Sequence, residues 1–489
     1  VSDTRPRRPA RGSSGEQAAR RSLARLARQA MLRSRRVGLG AALRELVAEA
    51  AKASPARLAL TVFSGMILLV TVMLELPIAT VERERTPLVD ALFTAVSAVC
   101  VTGLTTVDTP THWSTFGLVV LMFAMKIGGL GVLTLASLLS LSVMRHMGLA
   151  QRLITASETR SERLSEVGGV LATIVITSTS FELLTFFALT PHMIANQYPL
   201  GTSLFNGAFY AISAFNNAGF VPEVSGTAQY VGDPWFSIPI ALAVFVGSLG
   251  FPVILVLVRS WRRRAHWTLH AKLTLSTSAL LFVLGWIGIA LMEWGNPDTL
   301  GGHGTGTKLL ASAFASVMPR SGGLSTLDVS QFAPATRLFV DILMFIGGGS
   351  GSTGGGIKVT TFALLVLSII AEARGDRDVE VFSRRIPHET IRQAISVLVM
   401  SAAVVLVATL VMLELTGLDL DRTVFEVLSA YGTVGLSTGI TPDLPTSAKC
   451  VIIACMYMGR IGPMTLGAAL ALRERSRVVR LPEERPIVG

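Results

Sequence analysis

Four short segments of the 489-residue chain hold residue types suited to handling a bare cation: Val101-Thr102-Gly103-Leu104, Asn217-Ala218-Gly219-Phe220, Ser321-Gly322-Gly323-Leu324 and Thr433-Val434-Gly435-Leu436. None contains an ionisable side chain. What they offer is backbone. Rings of carbonyl oxygens can replace the hydration shell of a cation entering a dry pore. Aiming successive carbonyls at one axis needs backbone angles that glycine adopts without steric penalty. The four glycines Gly103, Gly219, Gly323 and Gly435 are 116, 104 and 112 residues apart. A second pattern follows each after 24–28 residues, as Gly128–Gly131, Gly247–Gly250, Gly348–Gly351 and Gly459–Gly462. Two motifs keeping nearly one offset through four units mark an internal repeat. The competing reading of such glycines is close packing between helices.

A second candidate lies in the third unit. Gly347, Gly348, Gly349, Ser350, Gly351, Ser352, Thr353, Gly354, Gly355 and Gly356 include seven glycines and no large side chain. Each glycine weakens a helix by about 1 kcal/mol, so an irregular loop is expected in the middle of an otherwise apolar span. Such a loop beneath a filter could block a pore and move aside. It is not a phosphate loop, because Gly356-Ile357-Lys358-Val359 lacks the Gly-Lys-Ser/Thr ending that motif requires. Arg460 lies 25 residues after Gly435 in a span with no other charge. A charge inside a membrane is costly and is a functional candidate by default. Facing a pore, it would repel cations at the constriction, with Asp341 or the carbonyls of the Gly-rich loop as partners. Lys126 could face the same vestibule. Glu182 reads as a helix–helix hydrogen-bond partner. Lys358 either holds the loop or reaches the cytoplasmic surface.

The elements that must position these residues follow from hydropathy. Hydrophobic residues make up 51% of the chain and charged residues 15%, against about 25% charged in soluble proteins. This excludes a soluble enzyme, a disordered chain and a disulfide scaffold. No catalytic constellation, metal-ligand cluster or dinucleotide fingerprint is present, so the chain is not read as an enzyme. Crossing a bilayer takes about 20 apolar residues. Eight candidate spans meet that: 58–74, 113–144, 167–189, 235–258, 273–292, 338–367, 393–413 and 450–472. Shorter apolar stretches at about 88–99, 203–214, 309–317 and 423–429 each precede a filter glycine. Span, short helix, Gly turn, span is the pattern of a re-entrant pore loop. The expected fold is therefore an all-α integral membrane protein of four parallel helix–pore-loop–helix repeats, forming a pseudo-tetrameric pore in one chain. The repeats are 58–145, 166–262, 270–373 with the Gly-rich gate loop, and 388–473.

Charge sets the orientation. Residues 1–57 hold 14 Lys+Arg against 4 Asp+Glu, which is ten of the net +11. The charge thus belongs to a tail and not to a nucleic-acid-binding surface. Beside a membrane span, it is read as a cytoplasmic segment near anionic lipid, either solvated or lying on the membrane as an amphipathic helix. Basic loops after the second, fourth and sixth spans place those loops and both termini (the tail 1–57 and residues 474–489) on the cytoplasmic side. The four short stretches then enter from outside.

At these residues the chain resembles the Trk/Ktr/HKT superfamily of cation transporters, most closely the KtrB/TrkH type of membrane subunit. The carriers are the four filter turns, the run from Phe345 to Lys358, the run from Met458 to Pro463, and the C-terminal segment Leu481–Gly489. The likeness covers roughly residues 58–489. It implies potassium uptake across the inner (cytoplasmic) membrane, with K+ as cargo, Na+ as an alternative, and no resident cofactor. It also implies a homodimer docked on a cytosolic RCK-type nucleotide-binding ring, so nucleotide would act only through that partner. Loops 259–272 and 372–392 are candidate docking surfaces. Glycine at all four filter positions favours potassium, because serine at the first accompanies sodium permeation in some plant members. The family usually carries Ser-Pro-Gly-Ser-Thr in the loop, where this chain has Ser350-Gly351. The alternative from the residues themselves is a sodium or mixed-cation secondary transporter, whose repeats are often inverted.

Overall fold

The computed structural model describes residues 55–131, 164–260 and 262–462. The expectations for the tail 1–57, the loop after the second span and residues 463–489 lie outside them, apart from the start of the first helix. The described chain is mostly helical. The first unit comprises α1 (Pro55–Leu74), the short α2 (Leu88–Val99) and α3 (Thr115–Gly129). The second comprises α4 (Leu164–Ala195), the short α5 (Leu200–Phe215), α6 (Pro234–Leu249) and α7 (Phe251–Ser260). In the third, α8 (Leu269–Glu293) and the short α9 (Thr305–Val317) precede α10 (Pro334–Phe345) and α11 (Val359–Arg374). The fourth runs α12 (His388–Thr416), the short α13 (Leu420–Tyr431) and α14 (Thr446–Ile461). A two-residue antiparallel ladder, β1 (Glu380–Val381) with β2 (Arg384–Arg385), joins α11 to α12.

Local chemistry fixes the starts of these helices. Pro87 and Pro199 stand at the N-caps of α2 and α5. The Asp233 carboxylate accepts from the Trp235 N–H at 2.9 Å at the start of α6, with Pro234 behind it. Ser114 and Thr268 cap α3 and α8 in the same way. Proline at these positions removes a donor that would have no helical partner.

Burial is inverted relative to a soluble protein. The short helices are the interior: α2 is buried without a break from Phe93 to Val99. The long helices present apolar side chains outward, as with Leu406 and Leu410 of α12, 61% and 58% exposed. A soluble fold would not leave such a face to water; hydrocarbon accepts it. Helices α4 (over Ile174–Ala195), α8 and α12 are long and apolar enough to cross a membrane.

The units close on one another. In each, the helix after the Gly turn packs on the helix before the Gly turn of the next unit: α3 on α5, α6 on α9, α10 on α13, and α14 back on α2. The order around the ring is therefore the order in sequence.

The third unit's span is interrupted by the Gly-rich loop as expected, but the spans 113–144, 235–258 and 450–472 also break. Span 235–258 is two helices, α6 and α7, bent by 101°. Helix α3 ends at Gly129 and α14 at Ile461. The break falls each time at the last glycine of the second motif: Gly131, Gly250 and Gly462 have φ of 90°, 95° and 85°. Those left-handed angles cannot continue an α-helix. Hydropathy does not register them.

Candidate cation pathway

The four Gly turns adopt one backbone pattern. The residue two before each glycine is left-handed although none is glycine: Val101, Asn217, Ser321 and Thr433 have φ of 52°, 58°, 74° and 49°. The glycines follow at 95°, 72°, 68° and 96°. A β-branched residue such as Val101 or Thr433 is a true outlier in this region, at a cost of roughly 1–3 kcal/mol each. The residue between them is not among those with positive φ, so the sign of φ alternates along each turn.

Hydrogen bonds to the short helices hold the strained turns. Thr102, Ala218 and Val434 donate to the carbonyls of Ser97, Ser213 and Ser429, each at 2.8 Å. The Ser97 and Ser429 hydroxyls accept from the N–H groups of Gly103 and Gly435 at 3.0 and 3.1 Å. The third turn differs. Gly322 and Gly323 both donate to Met318, and no serine occupies the corresponding position. Its anchor is Arg320, 2% exposed, whose guanidinium donates to the Ser278 carbonyl and hydroxyl, both at 2.9 Å, and lies over the Phe245 ring. The charge is thus held behind the turn, against α8 and α6. Sequence reading missed Arg320; an arginine between a short apolar helix and a filter glycine was the available signal.

The four glycines meet. A Cβ on Gly103 would lie 2.6 Å from the Ala218 carbonyl oxygen and 2.9 Å from the Cα of Gly219. On Gly219 it would lie 3.1 Å from the Cα of Gly323; on Gly323, 2.3 Å from the Val434 oxygen; on Gly435, 2.0 Å from the Thr102 oxygen. Carbonyl oxygens of the residue before the glycine therefore border a neighbouring unit's glycine in three of four cases, with no room for a side chain. The second motif is a different matter. A Cβ on Gly128, Gly247 or Gly459 would fall 2.1, 2.1 or 1.8 Å from the carbonyl of Val99, Phe215 or Tyr431. Those three glycines are close-packing sites against the ends of the short helices.

The Gly-rich segment is an irregular loop between α10 and α11, as its composition requires. Gly347 donates to Ile357 at 2.8 Å and Val359 to Gly348 at 3.1 Å, closing its base. Its far side is sewn to the break between α6 and α7: Gly349 donates to Ser248 at 2.7 Å, Thr353 to Gly247 at 3.3 Å, and Phe251 to Gly351 at 3.1 Å. The Ser350 and Thr360 hydroxyls are 3.1 Å apart. The Ser352 hydroxyl accepts from the Gly354 N–H, and Gly355 donates to Thr433 Oγ1 at 2.9 Å. A Cβ on Gly354 would lie 2.8 Å from Ser321 Oγ, and Gly356 has φ of 66°. The loop thus abuts the left-handed residues of the third and fourth turns.

Two cations reach this loop. Lys358 Nζ donates to the Gly354 carbonyl at 2.7 Å, which is the loop-holding alternative. Arg460 donates to the carbonyls of Thr353 in the loop and Gly128 at the end of α3. Of its two expected partners, the carbonyls are found; Asp341 sits on α10 with its Oδ1 buried and unpartnered. Lys126 pairs with Glu182 at 2.6 Å and donates to Ser178 at 2.7 Å. Glu182 also accepts from the Asn216 amide at 2.7 Å. Lys126 is therefore bound in a contact between α3 and α4, and Glu182 is the helix–helix partner its sequence suggested. No cluster of three or more His, Cys, Asp and Glu suited to a metal occurs among the described residues.

A family model described as a cation transport protein, TrkH, matches residues 53–476. The Ktr system potassium uptake protein B of Bacillus subtilis is 38% identical over 432 residues, covering 88% of this chain and 94% of that protein. The potassium/sodium uptake protein NtpJ of Enterococcus hirae is 33% identical, covering 89% of this chain and 97% of that protein. Among solved structures, the potassium transporter TrkH from Vibrio parahaemolyticus superposes with a TM-score of 0.66 at 19% identity, covering 84% of each chain. That likeness concerns the fold.

Proposed function

The chain belongs to the TrkH family of cation transport proteins, and on that premise we propose that it takes up potassium through a channel-like pore. As a member of that family it is a membrane transporter and not an enzyme. The observation that carries the proposal is the cyclic meeting of Gly103, Gly219, Gly323 and Gly435 beside the Thr102, Ala218 and Val434 carbonyls. In this reading the four units form a pseudo-tetrameric filter of backbone oxygens, Val101–Gly103, Asn217–Gly219, Ser321–Gly323 and Thr433–Gly435. A dehydrated cation finds fixed dipoles there in place of water. The loop Gly347–Gly356 is the gate, held shut by Arg460 and Lys358, and its many glycines allow it to move aside.

The proposal extends to the assembly: a homodimer in the inner membrane, both termini cytoplasmic, with the tail near anionic lipid. A cytosolic RCK-type ring then drives the gate, and nucleotide acts through that ring alone. A sodium or mixed-cation cargo is the second reading, favoured by the printed name of the Enterococcus hirae relative. A secondary transporter of inverted repeats is disfavoured, because the closed ring of α3 on α5, α6 on α9, α10 on α13 and α14 on α2 relates the units in one sense. Rescue of a potassium-uptake-deficient bacterium at low external potassium, with the cognate ring supplied, tests the proposal. Growth supports it; no growth despite membrane insertion moves the cargo to sodium or another cation.

A further inference from the structure

Two carboxylates are buried against filter segments without a cationic partner. Glu426 lies on α13, nine residues before Gly435, and is fully buried. The Ser437 hydroxyl, two residues beyond that glycine, reaches both its oxygens at 3.0 Å, and the Thr441 hydroxyl donates to Oε1. In the second unit the position nine before Gly219 is Tyr210, whose hydroxyl donates at 3.0 Å to Glu223, four residues past the glycine. Glu223 also accepts from Asn206 at 3.1 Å, Gln229 at 3.0 Å and Tyr230 at 3.0 Å. The same helix position thus meets the same outgoing segment in both units, with the carboxylate on opposite partners. The first and third units carry Thr94 and Phe314 there. Units two and four are opposite in the ring, since the helix packing closes between successive units.

Among the described residues Glu182 pairs with Lys126 and Asp90 with Lys449, whereas Asp341 on α10 is buried without a salt bridge, its Oδ1 unpartnered and with no hydrogen bond to a Gly turn. Glu293 is also held by neutral donors, Asn296 and Thr299, but touches no filter segment. An uncompensated buried charge is costly and persists where its field has a use.

Resting on the transport reading above, we propose that Glu223 and Glu426 are a diagonal pair of fixed negative charges that set cation affinity at the outer end of the filter. Ser437, which holds Glu426, is two residues past Gly435, and Glu223 is four past Gly219, so at about 3.5 Å per residue of extended chain both carboxylates lie at most roughly 20 Å from the glycines. At that range a unit charge changes cation occupancy about tenfold.

The test is rubidium and potassium uptake over a concentration series in the uptake-deficient bacterium with the ring supplied. Glu223→Gln and Glu426→Gln are each expected to raise KM about tenfold with the maximal rate within about twofold. The double variant should multiply the two effects, and Glu→Asp, which keeps charge while disturbing the brace, should hold KM near wild type. Gln variants with wild-type KM, or an effect on maximal rate alone, overturn the proposal. If a Gln variant fails to reach the membrane, the Asp variant decides: KM near wild type supports the charge role, and a tenfold rise overturns it. Absence of wild-type uptake overturns the transport reading and this inference together.

Discussion

The backbone N–H of Gly355 donates to Thr433 Oγ1 at 2.9 Å, so the Gly-rich loop is bonded directly to the left-handed residue of the fourth filter turn. A Cβ at position 355 would fall 2.4 Å from that oxygen, which is why the loop must be glycine there. Thr433→Val keeps the side-chain shape and removes the acceptor. An orphaned buried N–H costs about 1–3 kcal/mol, charged here to the closed arrangement. Basal rubidium uptake into proteoliposomes, without any cytosolic ring, should rise several-fold. An unchanged basal rate would separate loop from filter.

Arg460 joins three units by donating to the carbonyls of Thr353 and Gly128 from α14. Arg460→Gln removes the buried charge and one reach. The expected result is a raised basal flux and a weaker response to the ring. Arg460→Lys should be intermediate, because an ammonium is a point charge and cannot span both carbonyls. A basal flux equal to wild type in both variants would remove Arg460 from the gate.

The pair Lys126–Glu182 ties α3 to α4, and Glu182 also holds Asn216, three residues before Gly219. Lys126→Met leaves a buried carboxylate unpaired, at about 3 kcal/mol. Thermal unfolding in detergent should show that loss, and Lys126→Met with Glu182→Gln should recover most of it. Equal stability of single and double variants would show that the two side chains do not depend on each other.

Gly459 has no room for a methyl group, with the Tyr431 oxygen 1.8 Å from the Cβ position. Gly459→Ala should destabilise by roughly 1–3 kcal/mol through overpacking against backbone. Gly65→Ala, on α1 with nothing within 4 Å, should be neutral or slightly stabilising by helix propensity. The two melting temperatures check the contrast.

Much of this was legible from residue spacing. The recurrence of Gly103, Gly219, Gly323 and Gly435 located the turns, and the apolar stretches ahead of them proved to be α2, α5, α9 and α13 within a few residues. The breaks in spans 113–144, 235–258 and 450–472 were not foreseen, because hydropathy averages over Gly131, Gly250 and Gly462 and does not see their φ. Of the partners expected for Arg460, the loop carbonyl of Thr353 is found and Asp341 is not, while the Gly128 carbonyl at the end of α3 was not foreseen. Lys126 was open between vestibule and packing, because its partner lies 56 residues away on another helix. Arg320 and Glu426 escaped notice for the same reason: Ser278 and Thr441 approach them only in the folded chain.

The most direct test of the four-turn filter is potassium uptake in competition with sodium for wild type and Gly103→Ser, at equal amounts in the membrane. At φ of 95° and with a Cβ 2.6 Å from the Ala218 oxygen, serine must displace one turn of the ring. The account predicts that wild type prefers potassium and that the variant loses that preference while still reaching the membrane. A variant with wild-type preference and rate would contradict it, because the meeting point of the four glycines would then not be where the cation is selected.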